Sequence, residues 1–134
     1  MTTRKILFIN GNPNVREAMQ EYLSCLGEWE VIEAISPSQG LQRAVQDQPD
    51  AIVLDLAMFG VDYFTFLKSL RAQPTTQTIP VVILTTGAKW LDIKRLQAFK
   101  VMGAIDYSSN LDELVEKIKK LLDWSEKSAL TDEF

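Results

Sequence analysis

Four short polar stretches directly follow apolar runs of this chain, and they hold the residues whose types could do chemistry. These stretches are residues 10–12, 55–57, 85–87 and 107–110. Asp55 is the only carboxylate among them, and a carboxylate can act as a nucleophile or bind a hard cation. Thr85 adds a hydroxyl that can donate a hydrogen bond. The pattern indicates chemistry centred on the Asp55 carboxylate. The purely structural alternative is that this carboxylate ends a strand and caps the loop that follows.

The composition excludes several classes of function. The chain has 134 residues, 46% of them hydrophobic and 24% charged, which suits one globular domain. It has no histidine and one cysteine, Cys25, so a histidine-based triad, an imidazole zinc site and an internal disulfide are excluded. A net charge of -4 disfavours direct binding to nucleic acid. The first apolar run, residues 6–9, is too short for a signal peptide or a membrane span, so we expect a cytoplasmic protein with no membrane partner.

Apolar runs alternate with helical patterns along the chain. The predicted strands are residues 6–9, 29–35, 51–54, 80–84 and 104–107. The predicted helices follow them and begin near residues 13, 37, 64, 93 and 111, the fourth extending through Met102. Asn12 and Asn110 are predicted helix caps. We expect one domain over residues 1–124 and a flexible tail over residues 125–134.

This alternation defines a fold class. Strands that are each followed by a helix pair in parallel through right-handed crossovers. The chain is too short for an eight-stranded barrel, so an open sheet with helices on both faces remains. Ligands bind such sheets at the carboxyl ends of the strands, where the four polar stretches fall.

Four groups of residues at fixed spacing resemble a known family. They are residues 49–55, then Gly60 with Asp62, then Leu70-Arg71 with residues 79–85, and finally Gly103-Ala104 with Asp106-Tyr107. They are similar to the receiver domain of two-component response regulators, and the similarity covers residues 4–122. The resemblance implies a doubly wound, flavodoxin-like (βα)5 fold whose five-stranded parallel sheet has the order 2-1-3-4-5.

The resemblance also implies roles for single residues. Asp55 would accept the phosphoryl group, and Thr85 would contact a phosphoryl oxygen. Candidate Mg²⁺ ligands are Asp55, the side chain of Asn10 and the backbone carbonyl of Ala57. Tyr107 would be the aromatic residue that turns inward when the site is occupied. No cofactor other than Mg²⁺ is implied.

The chain departs from the family pattern where the chemistry is most demanding. Asn10 and Gly11 stand in place of the acidic pair after the first strand, and Asn110 stands in place of the lysine after the fifth. Mg²⁺ prefers anionic oxygen ligands, and phosphoryl transfer depends on stabilising charge. We therefore expect a degenerate site that binds Mg²⁺ weakly and takes little or no phosphoryl group from small phosphodonors.

Aromatic residues mark a predicted switch or partner face. Phe59 and Tyr63 replace a proline and a small residue of the family pattern, and they either pack locally or cover the pocket. Trp90 and Tyr107 complete this set. The resemblance implies a histidine kinase or another signalling protein as partner. It also implies a homodimer through the face of the fourth helix, fifth strand and fifth helix.

The sequence favours a signalling module that acts mainly by protein–protein interaction, and not an enzyme. The alternative is a conventional receiver that is phosphorylated on Asp55 by a cognate histidine kinase. A phosphatase with Asp55 as nucleophile would lack a second carboxylate at Ala57. A flavin-binding protein would lack a hydroxyl-rich phosphate cradle in residues 10–13.

Overall fold

Strands and helices alternate in the computed structural model, which describes residues 3–56, 63–85, 91–106 and 111–124. The strands are β1 (Lys5–Ile9), β2 (Glu30–Ala34), β3 (Ala51–Asp55), β4 (Val81–Thr85) and β5 (Val101–Asp106). The helices are α1 (Pro13–Cys25), α2 (Pro37–Asp47), α3 (Tyr63–Ala72), α4 (Ile93–Ala98) and α5 (Leu111–Leu122). The predicted α/β class is confirmed.

The strands form one parallel sheet in the order β2-β1-β3-β4-β5. Every residue of β3 and β4 is buried, as expected for strands covered by helices on both faces. The edge strand β2 is only partly buried. The predicted strand order is therefore confirmed, and β1, β3 and β4 lie side by side at the centre.

Two hydrophobic clusters cover the two faces of the sheet. Successive strand residues point to opposite faces, so Ile6 and Phe8 lie in one cluster and Leu7 and Ile9 in the other. Helices α1 and α5 supply the first cluster, and α2, α3 and α4 supply the second. Gly40 lets α2 approach β1, because a Cβ there would lie 2.4 Å from Cδ1 of Ile9. Packing of helices on both faces of the sheet therefore holds the strands, and their ends, in place relative to one another.

The junction between α4 and β5 differs from the prediction. The sequence pattern extends the fourth helix through Met102, whereas α4 ends at Ala98 and β5 begins at Val101. Lys100 has a φ of 60°, the left-handed conformation that commonly ends a helix. Nη2 of Arg71 donates to the carbonyl of Lys100 at 3.3 Å. This turn releases the following residues to pair with β4.

The last residue that the structure describes is Trp124. The predicted tail over residues 125–134 therefore lies outside the described ranges. Helix α5 begins at Leu111, as predicted, and ends at Leu122. Among the described helices, none is both long and apolar enough to cross a lipid bilayer.

Candidate functional site

The carboxyl ends of three central strands bring Asn10, Asp55 and Thr85 to one edge of the sheet. Ile9 of β1 is level with Leu54 of β3, so the next residues, Asn10 and Asp55, adjoin each other. Thr85 ends β4, one residue beyond the position level with Asp55. Asn10 is 2% exposed, Asp55 0% and Thr85 9%. The sequence placed these three residues together, and the strand register shows that they share one buried edge.

The side chain of Asn10 bridges two neighbours. Its Nδ2 donates to Oδ2 of Asp55, and its Oδ1 accepts from the backbone N–H of Asn12 at 2.6 Å. Turning the amide over would set its oxygen against the Asp55 carboxylate and its NH₂ against the N–H of Asn12. Both contacts therefore favour the same orientation, in which a neutral amide donates to a buried carboxylate.

The start of α1 explains why a backbone N–H is available at this point. The Oδ1 of Asn12 accepts from the N–H groups of Asn14 at 2.9 Å and Val15 at 3.3 Å, as expected of a helix N-cap. Pro13 occupies the first helical position. The predicted cap is confirmed. Because Asn12 precedes the first helical residue, its own N–H has no acceptor within the helix and is left to bind Asn10.

The backbone of Asn10 is bound as well. Its N–H donates to the carbonyl of Ala34 at 3.0 Å, and its carbonyl accepts from Nη1 of Arg16 at 2.9 Å. Nε of Arg16 lies 3.3 Å from Oε1 of Glu33 on β2. The sequence reasoning missed Arg16 and Glu33, because the contact of a helix with a strand that is distant in the chain leaves no local signal.

The described donors do not match what Mg²⁺ needs. The ion prefers a near-octahedral shell of oxygen ligands, anionic ones included. Asp55 offers one carboxylate, but the amide of Asn10 presents nitrogen to it and its oxygen faces Asn12. Within the described ranges, no three acidic, cysteine or histidine side chains cluster in a way that could hold a metal ion. Every buried side-chain nitrogen and oxygen in those ranges has a hydrogen-bond partner.

Several predicted site residues lie outside the described ranges. They are Ala57, Phe59, Trp90, Tyr107 and Asn110. Of the predicted switch or partner set, Tyr63 is described. Its ring packs against Phe64, with the ring centroids 4.6 Å apart. The guanidinium of Arg95 lies over the Phe64 ring, 3.7 Å from its centroid. The contact between Tyr63 and Phe64 is one that local packing predicts, and the covering of the pocket by Tyr63 stays a prediction.

A flavodoxin-like sheet with an aspartate at the end of its third strand and a threonine at the end of its fourth defines the class of the molecule. Residues 6–119 match the family model described as the response regulator receiver domain. The chain therefore belongs to the response regulator receiver family. The family consists of signalling modules that interact with histidine kinases and other signalling proteins.

Curated relatives are longer than this chain. The DNA-binding dual master transcriptional regulator RpaA of Synechocystis is 34% identical over 121 residues, which are 88% of this chain and 48% of that protein. The nitrate/nitrite response regulator protein homolog of Haemophilus influenzae is 31% identical over 87% of this chain and 56% of that protein. The chain thus spans about half the length of these relatives.

Solved structures show the same fold. Chemotaxis response regulator CheY4 of Vibrio cholerae gives a TM-score of 0.76 at 24% identity, over 90% of this chain and 99% of that one. The receiver domain of the sensor histidine kinase PA1611 from Pseudomonas aeruginosa gives 0.76 at 20% identity, over 91% and 99%. That receiver was solved with a magnesium ion coordinated in its active site cleft.

Proposed function

We propose that this chain is an atypical receiver that transmits signals mainly by protein–protein interaction, without turning over a substrate and with little Mg²⁺-dependent phosphorylation of Asp55. The observation that carries this proposal is the hydrogen bond from the amide of Asn10 to the Asp55 carboxylate. In a site built around a metal, the Asp55 carboxylate would bind the cation. Here a neutral donor, which directly follows β1, faces one of its oxygens.

The charge of the site supports the proposal. Three acids and one lysine carry a net charge of -2 in the usual family pattern. With Asn10, Gly11 and Asn110 in those places, Asp55 alone carries -1. A carboxylate and an incoming phosphoryl group repel each other, and the residues that would supply offsetting positive charge, a lysine and an acidic pair that holds Mg²⁺, are replaced here by neutral ones. Loss of one strong electrostatic contact can slow a reaction by roughly 10²-fold or more, whereas a neutral hydrogen bond from Thr85 contributes only about 1 kcal/mol.

A conventional phosphoacceptor is the second candidate, and one observation favours it. Asp55 and Thr85 end adjacent strands and share one edge of the sheet, which is the arrangement that the family resemblance assigns to an acceptor and a residue that contacts the phosphoryl group. A cognate histidine kinase would then have to supply part of the missing geometry and charge. The roles of Asp55, Thr85, Ala57 and Tyr107 remain proposals under either candidate.

Partners are proposed on the face of α4, β5 and α5, including a second copy of the chain. Met102 on the edge strand β5 supports this, because its side chain is 48% exposed. The expectation of no direct contact with nucleic acid concerns this domain alone, since a relative twice as long is a DNA-binding regulator.

Labelling with acetyl phosphate tests the proposal. The wild-type chain, incubated with acetyl phosphate and Mg²⁺, should gain little phosphoryl mass. A variant with Asn10→Asp, Gly11→Asp and Asn110→Lys restores the usual pattern of the family and should be labelled. Adding Asp55→Ala to that variant should abolish the label. Stoichiometric, Mg²⁺-dependent labelling of wild-type Asp55 would refute the proposal and establish the conventional candidate.

A further inference from the structure

A pair of charged side chains borders the site without entering it. Arg16, in the second turn of α1, reaches back to the carbonyl of Asn10 at 2.9 Å. Its Nε lies 3.3 Å from Oε1 of Glu33 on the edge strand β2. The side chain of Arg16 is 16% exposed and that of Glu33 is 36% exposed. Because the guanidinium is largely shielded from water, this contact is stronger than an ion pair in full solvent.

Asn10 is held from three directions, and Arg16 provides one of them. The neighbouring strand β2 holds its N–H through Ala34. The N–H of Asn12 holds its side-chain oxygen. Arg16 holds its backbone carbonyl. With these three groups bound, the amide NH₂ is the remaining polar group of Asn10, and it donates to Asp55.

The hydrogen bond from Arg16 to the carbonyl of Asn10 matters because of where Asn10 lies in the chain. Strand β1 ends at Ile9, so Asn10 lies where the regular ladder stops. The next residue, Gly11, is exposed and has no side chain that could pack. The peptide between Asn10 and Gly11 is therefore held through the carbonyl of Asn10, and this bond fixes the backbone from which the Asn10 side chain projects.

We propose that Arg16 and Glu33 are positioning residues for the hydrogen bond between Asn10 and Asp55. The Glu33 carboxylate orients the guanidinium, and the guanidinium fixes the carbonyl of Asn10. With its N–H bound to Ala34 and its carbonyl bound to Arg16, the backbone of Asn10 places the side chain so that its oxygen meets the N–H of Asn12 and its NH₂ faces the carboxylate. This inference rests on the proposed role of Asn10 in the site. The ion pair between Arg16 on α1 and Glu33 on β2 would thus help to set the hydrogen bonding of the buried Asp55 carboxylate.

Solvent exchange of the Asn10 side-chain NH₂ protons, followed by NMR, tests the proposal. In Arg16→Gln and in Glu33→Gln we expect these protons to exchange roughly tenfold faster, because a charge-assisted hydrogen bond is lost in each. The matched control is Arg43→Gln, the same substitution at an ion pair of similar length on α2, where Nη1 lies 3.2 Å from Oδ2 of Asp47. The control should leave Asn10 exchange unchanged.

Global stability, measured by urea unfolding of the same proteins, separates positioning from a general structural role. Faster exchange that only matches the loss of global stability would overturn the proposal, and so would unchanged exchange. Arg16→Lys keeps the charge without the planar fork, so exchange should fall between wild type and Arg16→Gln. The measurement needs neither metal nor phosphodonor. Labelling of wild-type Asp55 would therefore refute the proposed function alone, and unchanged Asn10 exchange would refute the positioning role alone.

Discussion

Replacing Asn10 with aspartate perturbs the site with almost no change in shape. The amide NH₂ that donates to Asp55 becomes a carboxylate oxygen, while the other oxygen can still accept from Asn12. Asn10 is 2% exposed and Asp55 0%, so water can screen the two negative charges only weakly. The variant therefore converts an attractive contact into a repulsive one at a buried position.

The size of the effect follows from the contact. Two unit charges about 4 Å apart repel by roughly 4 kcal/mol at an effective dielectric constant of about 20. A lost hydrogen bond to a charged group costs about 1.5–3 kcal/mol. Protonation of one carboxylate limits the sum, since a buried acid can neutralise instead of bearing the full repulsion. For Asn10→Asp we expect a loss of roughly 2–4 kcal/mol near neutral pH. The loss should shrink as the pH falls and one carboxylate takes up a proton.

Urea unfolding with and without Mg²⁺ measures this. Asn10→Ala is the control, because it removes the hydrogen bond without adding a charge, and it should lose about 1–3 kcal/mol. Mg²⁺ at about 100 times its dissociation constant should return roughly 2.7 kcal/mol to Asn10→Asp and nothing to Asn10→Ala or the wild type. If Asn10→Asp is as stable as the wild type without Mg²⁺, the Asn10 amide does not hold the Asp55 carboxylate, and the reasoning fails.

Three further predictions concern residues that pack or hold the elements around the site. In each, the free energy of unfolding in urea is the quantity measured. Gly40→Ala should cost about 1–3 kcal/mol by overpacking, because its Cβ would lie 2.4 Å from Cδ1 of the fully buried Ile9. Gly103→Ala should cost less, since its Cβ would meet Leu121, 2.8 Å away and only partly buried, which can move; equal losses would contradict this. Arg71→Met should cost about 2 kcal/mol or more, because four backbone carbonyls each lose one hydrogen bond. Burial lowers the pKa of Arg71 from its ordinary value, but an arginine stays protonated near neutral pH, so that loss should be constant between about pH 5 and 9.

The sheet was predictable because its central strands carry an unambiguous pattern. Residues 51–54 and 80–84 are short apolar runs bounded by polar or turn residues, as buried parallel strands require. The cap at Asn12 followed from residue type and the proline after it. The strand order depended on the family resemblance, because alternation alone leaves several orders open.

The junction of α4 and β5 was mispredicted for a physical reason. Phe99, Val101 and Met102 form a short apolar stretch, and periodicity cannot separate a buried helical turn from a strand in such a stretch. The deciding features are the left-handed backbone of Lys100 and the bonds that Arg71 makes from α3. Both depend on tertiary contacts that a local pattern does not contain.

The candidate site was predictable in place and only partly in orientation. Parallel strands that end together bring Asn10 beside Asp55 whatever the side chains do. The direction of the Asn10 amide depends on the N–H of Asn12 and on the hold of Arg16 on the backbone. Neither contact is visible from spacing, because both arise from how α1 begins against the sheet.

The two candidate functions make opposite demands on one side chain. An amide that donates to Oδ2 of Asp55 competes with any cation for that oxygen, whereas a metal site would need the amide oxygen on the same side. Reversing the amide would set its NH₂ against the N–H of Asn12, which now donates to the oxygen at 2.6 Å. The NH₂ of the buried Asn10 would then lack an acceptor, at a cost of about 1–3 kcal/mol, so cation binding would have to offset that cost before it gained affinity. The orientation of Asn10, more than the presence of Asp55, is therefore the property on which the choice between the two functions turns.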